Sequence, residues 1–192
     1  MQIVRATDRL VMPWKNGGGS TTEIAVAPPA ASLDGFDWRV SMATVGTDGP
    51  FSSFVGVDRT LAIVEGNGVI LSIGSNLPVN LGASAQISFP GDVPTSAWLI
   101  SGETTDLNVM TRRDRFRHSL QRVAQPTALD FHGAGDVAVV LSLNGSTAIA
   151  SDTGRDMLED GDAAVLRQTD QLAYRILPAI GCDCFLVWLR QI

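Results

Sequence analysis

Three residue types are scarce in this chain, which has two cysteines, two histidines and a single lysine. Cys182 and Cys184 stand two residues apart. On a strand such residues share a face but lie too far apart to bridge without distortion. No disulfide scaffold is expected, and the pair reads as two small core residues. His118 and His132 lack the close spacing of a two- or three-histidine metal site. Positive charge is also short, with a net charge of −6 and a pI near 4.7. A partner with an acidic surface, nucleic acid or membrane, needs a basic face, so neither is expected. No apolar run approaches the roughly 20 residues that cross a bilayer. Met1–Arg5 lacks a basic leader followed by an apolar core, so no signal peptide is expected and the cytoplasm is the expected location.

The one lysine lies in the string Met12-Pro13-Trp14-Lys15-Asn16-Gly17-Gly18-Gly19-Ser20-Thr21-Thr22-Glu23. All thirteen other basic residues are arginine, so codon preference accounts for the rarity of lysine by itself. It does not account for the neighbours. An aromatic, a cation and an amide ahead of three glycines read as a binding loop, since glycine serves where backbone must turn tightly or approach a ligand. The run is not a P-loop, which places its lysine after the glycines. No G-x-S-x-G nucleophile elbow occurs either.

Strand signals dominate the rest. Short apolar or alternating runs such as Trp38–Val45, Val69–Ile73, Leu107–Met110, Val137–Leu143 and Cys184–Leu189 are separated by Gly, Pro, Asn or Asp. Many short strands at close spacing predict a barrel or sandwich. Only Asp114–Val123 offers a short helix, or alternatively an irregular connector. Glu65-Gly66-Asn67-Gly68-Val69 is echoed by Leu143-Asn144-Gly145-Ser146-Thr147, which suggests one β pattern used twice. The two domains expected are residues 1–112 and 113–192, with strand exchange between them allowed. The arginines at 112, 113, 115 and 117 read as a solvated or inter-lobe salt-bridging segment rather than a nucleic-acid patch.

The candidate site residues fall in the first half. Along Trp38–Val45 the alternation puts Arg39, Ser41 and Ala43 on one face and Trp38, Val40 and Met42 on the other. Either face can line an interior. Phe51 and Ser52 lie in a turn-rich loop suited to a cavity rim. Arg59 opens the following strand, and an arginine fork matches a carboxylate through two parallel hydrogen bonds. Asp106 and Asn108 share a face of Leu107–Met110. With Trp14, Lys15 and Asn16, these are the ligand-binding candidates.

The strings Pro13-Trp14-Lys15-Asn16-Gly17-Gly18-Gly19-Ser20-Thr21, Arg39-Val40-Ser41, Asp48-Gly49-Pro50-Phe51-Ser52 and Val57-Asp58-Arg59 together resemble the HutD/Ves family. Glu65-Gly66, Phe89-Pro90-Gly91-Asp92 and Asp106-Leu107-Asn108-Val109-Met110 carry the same resemblance. It implies an all-β bicupin, two jelly-roll-like cupin barrels of antiparallel strands in one chain. Where ordinary cupins place a histidine pair and a glutamate on a metal, Gly49-Pro50-Phe51-Ser52-Ser53-Phe54 offers no histidine. No metal and no cofactor are therefore expected. Members of the HutD branch are associated with bacterial histidine utilisation, and N-formylglutamate and urocanate are the implied ligands. Val55 stands where many relatives have proline.

These readings converge on a regulatory protein that binds a small anionic metabolite without transforming it. Two alternatives stay open. One is a metal-independent cupin isomerase, epimerase or hydrolase on a small carboxylate or sugar, using Lys15 as acid or base if burial tunes it. The other is a lobe that only contacts another protein. A homodimer is allowed by the sequence but not specified.

Overall fold

Alternating apolar residues broken by turn formers leave this chain little choice but strands. The computed structural model describes residues 1–192. It has no α-helix and one short 3₁₀ turn at Ala6–Asp8. In chain order the strands are β1 (Gln2–Val4), β2 (Val11–Pro13), β3 (Gly19–Ala27), β4 (Trp38–Val45), β5 (Gly49–Pro50), β6 (Val57–Glu65), β7 (Val69–Ile73), β8 (Val79–Leu81), β9 (Gln86–Pro90) and β10 (Thr95–Leu99). There follow β11 (Thr104–Arg112), β12 (Phe116–Val123), β13 (Thr127–Asp130), β14 (Val137–Leu143), β15 (Thr147–Ser151), β16 (Gly154–Leu158), β17 (Ala163–Arg167), β18 (Ala173–Pro178) and β19 (Asp183–Gln191).

The chain divides into two compact units, Leu10–Phe116 and Met1–Arg9 with Arg117–Ile192. In the first, a six-stranded sheet ordered β2-β3-β4-β11-β6-β9 accompanies a four-stranded sheet ordered β5-β10-β7-β8. All paired strands in both sheets are antiparallel. Leu61, Ile63 and Phe89 of the larger sheet pack against Val69, Leu71, Ile73, Leu81 and Ala97 of the smaller. Each fully buried aliphatic side chain of this kind contributes about 1.5–3 kcal/mol.

The second unit has a five-stranded sheet ordered β1-β17-β14-β19-β12 and a four-stranded sheet ordered β13-β18-β15-β16. Adding eight to each strand number of β4-β11-β6-β9 and β5-β10-β7-β8 reproduces both orders. The echo between residues 65–69 and 143–147 is the sequence trace of this repeat. The second unit's interior is a continuous apolar core that includes Phe131, Ala138, Val140, Ile149, Leu166, Ile176, Cys184 and Leu186. Burial pushes the Cys184 thiol up to about 12, in keeping with a core residue. The first residues of the chain are held in this unit by β1 pairing with β17. Buried Asp162 adds to that, accepting hydrogen bonds from Arg5 at 2.6 Å and from the Ala6 amide at 2.8 Å.

One expectation is corrected and one choice between alternatives is made. The segment read as a short helix or connector at 114–123 is mainly strand β12, with Leu120 and Val123 buried. Its charges obscured the strand because they occupy the exposed positions of a sheet edge. Of the two alternatives for the arginine segment, solvated or inter-lobe, the exposed Arg113 and Arg115 follow the solvated one, and the partners of the arginines at 112, 113 and 115 lie within the first unit. Arg112 donates to the backbone carbonyls of Phe36 and Asp34, Arg113 pairs with Asp58 and Asp92, and Arg115 pairs with Asp37.

Candidate functional site

The register of the six-stranded sheet decides which side chains meet. Met110 of β11 lies opposite Arg39 of β4 on one side and Arg59 of β6 on the other. Asn108 lies opposite Ser41 and Leu61, and Asp106 opposite Ala43 and Ile63. Because side chains alternate along a strand, Arg39, Ser41, Ala43, Arg59, Asp106, Asn108 and Met110 share one face. On β3, Glu23 is opposite Ser41 and Thr21 opposite Ala43, with a bulge just beyond Glu23. The choice left open at Trp38–Val45 is thereby made. Arg39, Ser41 and Ala43 look into a cavity, while Trp38 and Val40 are buried on the opposite face.

The cavity measures about 700 Å³, within the range of small-molecule sites. All ten candidates from the sequence line it: Trp14, Lys15, Asn16, Arg39, Ser41, Phe51, Ser52, Arg59, Asp106 and Asn108. Its lining also includes residues that sequence reasoning left out as candidates, among them Thr21, Glu23, Leu33, Phe54 and Met110. Glu23 had a signal in hindsight. It closes the glycine string, but only the β3–β4 register places it beside Ser41.

One wall is the β2–β3 hairpin loop. The Trp14 amide donates to the Gly19 carbonyl at 2.9 Å, the Gly17 amide to the Trp14 carbonyl at 2.9 Å, and the Gly18 amide to Asn16 Oδ1 at 3.1 Å. The indole Nε1 donates to Thr21 Oγ1 at 2.8 Å, which fixes the ring. Gly17 has φ +72°, in the left-handed region that costs other residues about 1–2 kcal/mol. At Gly19 a Cβ would stand 2.3 Å from the Thr44 carbonyl oxygen and 2.9 Å from the Trp14 ring. The glycines thus set the indole at the cavity. Lys15 and Asn16 are exposed at its rim, and the burial on which acid–base chemistry at Lys15 depended is missing.

The facing wall is the loop Phe51–Val57. The Phe51 amide donates to Thr95 and the Phe54 amide to Gly91, each at 2.8 Å. Asp92 accepts from the Gly56 amide at 3.2 Å while paired to Arg113 at 3.0 Å. This bracing holds two phenylalanines over Arg59. The guanidinium carbon lies 5.2, 5.6 and 5.3 Å from the rings of Phe51, Phe54 and Phe89. Cation–π attraction in such a dry setting reaches about 2 kcal/mol.

The two arginines are not equivalent. Arg39 is already engaged, with Nε 2.9 Å from Glu23 Oε2. Arg59 forms no ion pair within 4.0 Å, and its single hydrogen bond, to the Ser52 carbonyl, is long at 3.5 Å. Burial lowers the Arg59 guanidinium to about 10, with nearby Asp106 pulling the other way. Burial likewise pushes Asp106 up to about 7, with Arg59 opposing. Arg59 Nε, Asp106 Oδ1 and Asn108 Oδ1 are all buried without a hydrogen-bond partner. Such a group costs about 1–3 kcal/mol each when left unpaired.

The repeat supplies an internal comparison. The pairs Arg59–Met110, Leu61–Asn108 and Ile63–Asp106 correspond in register to Ala138–Trp188, Val140–Leu186 and Ser142–Cys184. The three positions with orphaned polar atoms are Ala138, Leu186 and Cys184 in the second unit, all in its apolar core. The topology folds without polar groups there. A cupin-type metal does not fit this cavity either. Its lining has no histidine or cysteine, and its only carboxylates, Glu23 and Asp106, face Arg39 and Arg59. No group of three potential ligands suited to a metal ion occurs anywhere in the chain.

Known proteins resemble this chain in sequence and fold. A solved structure of HutD from Pseudomonas fluorescens SBW25, in a formate condition, superposes with a TM-score of 0.86 at 29% identity, covering 100% of this chain and 98% of that one. Protein Ves of Citrobacter koseri is 39% identical over 130 residues, 67% of this chain and 66% of its own length. An uncharacterized 21.2 kDa protein in the hutC 3′ region of Pseudomonas putida is 36% identical over 121 residues, 63% of each chain. The matches to these two relatives thus span slightly less than two thirds of their length. A cupin 2 conserved barrel domain protein from Leptotrichia buccalis superposes at 11% identity with a TM-score of 0.58, covering 90% of this chain and 88% of its own. Oxalate decarboxylase from Lactobacillus farciminis, as a formate complex, does so at 9% with 0.69, covering 100% and 87%. These last two show likeness of fold alone. The HutD family model matches residues 6–181, and the chain belongs to the HutD family.

Proposed function

We propose that this protein is a non-catalytic sensor. Its first unit binds a small carboxylate metabolite, and the bound state regulates histidine utilisation. The observation that carries this reading is the set of buried, unpartnered polar atoms facing one cavity. A fold keeps such atoms at a cost in stability when a ligand is to meet them. Lys15, Arg39 and Arg59 against Glu23 and Asp106 give the lining an excess of positive charge, which favours an anion. Arg59, without an ion pair, takes the carboxylate beneath Phe51, and Trp14 borders the rest. N-formylglutamate and urocanate are small enough and carry the required charge. They also suit a family whose HutD branch is associated with histidine degradation. In this reading each unit is a cupin-type domain, which the repeated two-sheet topology and the cupin-like fold support, and only the first is a binding domain.

Isothermal calorimetry with N-formylglutamate and urocanate tests the reading. Two or three charge-assisted hydrogen bonds, each worth about 1.5–3 kcal/mol, give affinities on the order of micromolar after ordering costs. The ligand is expected to remain chemically unchanged after prolonged incubation. No binding heat from any histidine-degradation carboxylate at millimolar concentration would overturn the assignment.

A further inference from the structure

Resting on that carboxylate reading, we propose that the cavity also requires an N–H donor on its ligand, directed at Asp106 and Asn108. Its ligand class is then N-acyl or azole-bearing acids, and plain carboxylates of the same shape are poor occupants. The argument starts from the chemistry of the three orphaned atoms. Arg59 Nε is a donor, whereas Asp106 Oδ1 and Asn108 Oδ1 are acceptors. A carboxylate brings acceptors only. It satisfies the arginine and leaves the Asn108 acceptor unmet, and above about pH 7, where Asp106 is ionised, it leaves that acceptor unmet as well and is repelled by it.

The acceptors are placed to act together. Asp106 and Asn108 are two residues apart on β11, on the same face, so their Cα atoms are about 7 Å apart. Arg59 lies one same-face step further along, opposite Met110. A molecule the size of a glutamate derivative spans that distance with its carboxylate at Arg59 and its donor at the acceptor end. Phe51, Phe54 and Phe89 enclose the arginine end. The fold does not demand acceptors at these positions, because Cys184 and Leu186 occupy the same register in the second unit.

Discrimination between matched ligands tests this. Urocanate is compared with 3-(2-furyl)acrylate, which keeps the carboxylate and a five-membered ring but has no N–H. N-formylglutamate is compared with its N-methyl derivative. In the parent protein at about pH 8, where Asp106 is ionised, the donor-bearing member of each pair is expected to bind about tenfold or more tightly, since a site built around a hydrogen bond rejects the analogue that lacks it. In Asp106→Leu and in Asn108→Leu the ratio is expected to fall towards one, with circular dichroism verifying the β fold. Equal binding of both members in the parent would overturn the donor requirement and leave the carboxylate reading standing. Binding by none of the four would remove the carboxylate reading, and the donor requirement with it.

Discussion

Asp106 and Arg59 form an unusual pair, two buried opposite charges that attract each other without a hydrogen bond between them. A directly bonded pair offsets part of its desolvation, whereas this one leaves atoms of both partners unpaired. The consequence is a pH dependence opposite to that of an ordinary surface carboxylate. Asp106 is raised from its usual value to about 7 by burial. Between about pH 4 and pH 7 the folded protein therefore holds a proton at this site that the unfolded chain has released. The stability contributed by this group is fully present below pH 4 and is lost as pH rises towards 7. Asp106→Asn removes the titration while keeping the shape. Urea denaturation of parent and variant at pH 5 and pH 8 is expected to show the variant gaining on the parent at the higher pH. The gain should be on the order of a few kcal/mol. A difference that stays constant across that range would mean that Asp106 titrates normally.

At the scale of elements, the β2–β3 hairpin shows how backbone geometry shapes the site. Gly19 pairs with Val45 and lies against both the Thr44 carbonyl and the Trp14 ring. Gly19→Ala is expected to cost about 1–3 kcal/mol, because backbone rather than a flexible side chain must yield. It should also weaken ligand binding by displacing the indole. Gly17→Ala, with open space around its Cβ, is the contrast. It is expected to cost only the left-handed strain of about 1–2 kcal/mol and to leave Trp14 fluorescence and affinity nearly unchanged. Thermal melts and titrations of both variants check this. The string around Lys15 stood out in the sequence because its composition departs so far from a solvated turn, and in the structure it lines the cavity. Strands such as β4, β7 and β14 were legible to the residue because apolar runs end at turn formers. Strands β2, β12 and β16 were not, since each is exposed over half or more of its length and so carries little of the apolar alternation that marks burial. The face of β4 that meets the cavity was undecidable because both faces are buried. Glu23 and Phe89 escaped notice as site residues because their roles depend on register across the sheet, which a single strand does not encode.

For the whole molecule, the informative fact is that one topology appears twice with different interiors. The second unit fills its sheets with apolar side chains, and Leu186 stands in the register position of Asn108. If polar interiors were needed to specify this fold, both units would carry them. At the register positions of Arg59, Asp106 and Asn108 they occur only in the unit with the cavity, whereas the second unit's buried Ser142, Thr147 and Asp162 are hydrogen-bonded, as expected if a ligand rather than folding selects the unpaired groups. Binding is therefore expected at one site per chain despite the repeat, read as a calorimetric stoichiometry of one. Reciprocal substitutions sharpen the point. Asn108→Leu removes an unpaired acceptor and is expected to stabilise the protein by about 1 kcal/mol, while its donor selectivity is lost. Leu186→Asn places an amide in a filled core and is expected to destabilise it by about 2–4 kcal/mol without creating a second site. Two sites per chain, or equal destabilisation by the two exchanges, would mean that the polar residues of the first unit serve the fold and not a ligand.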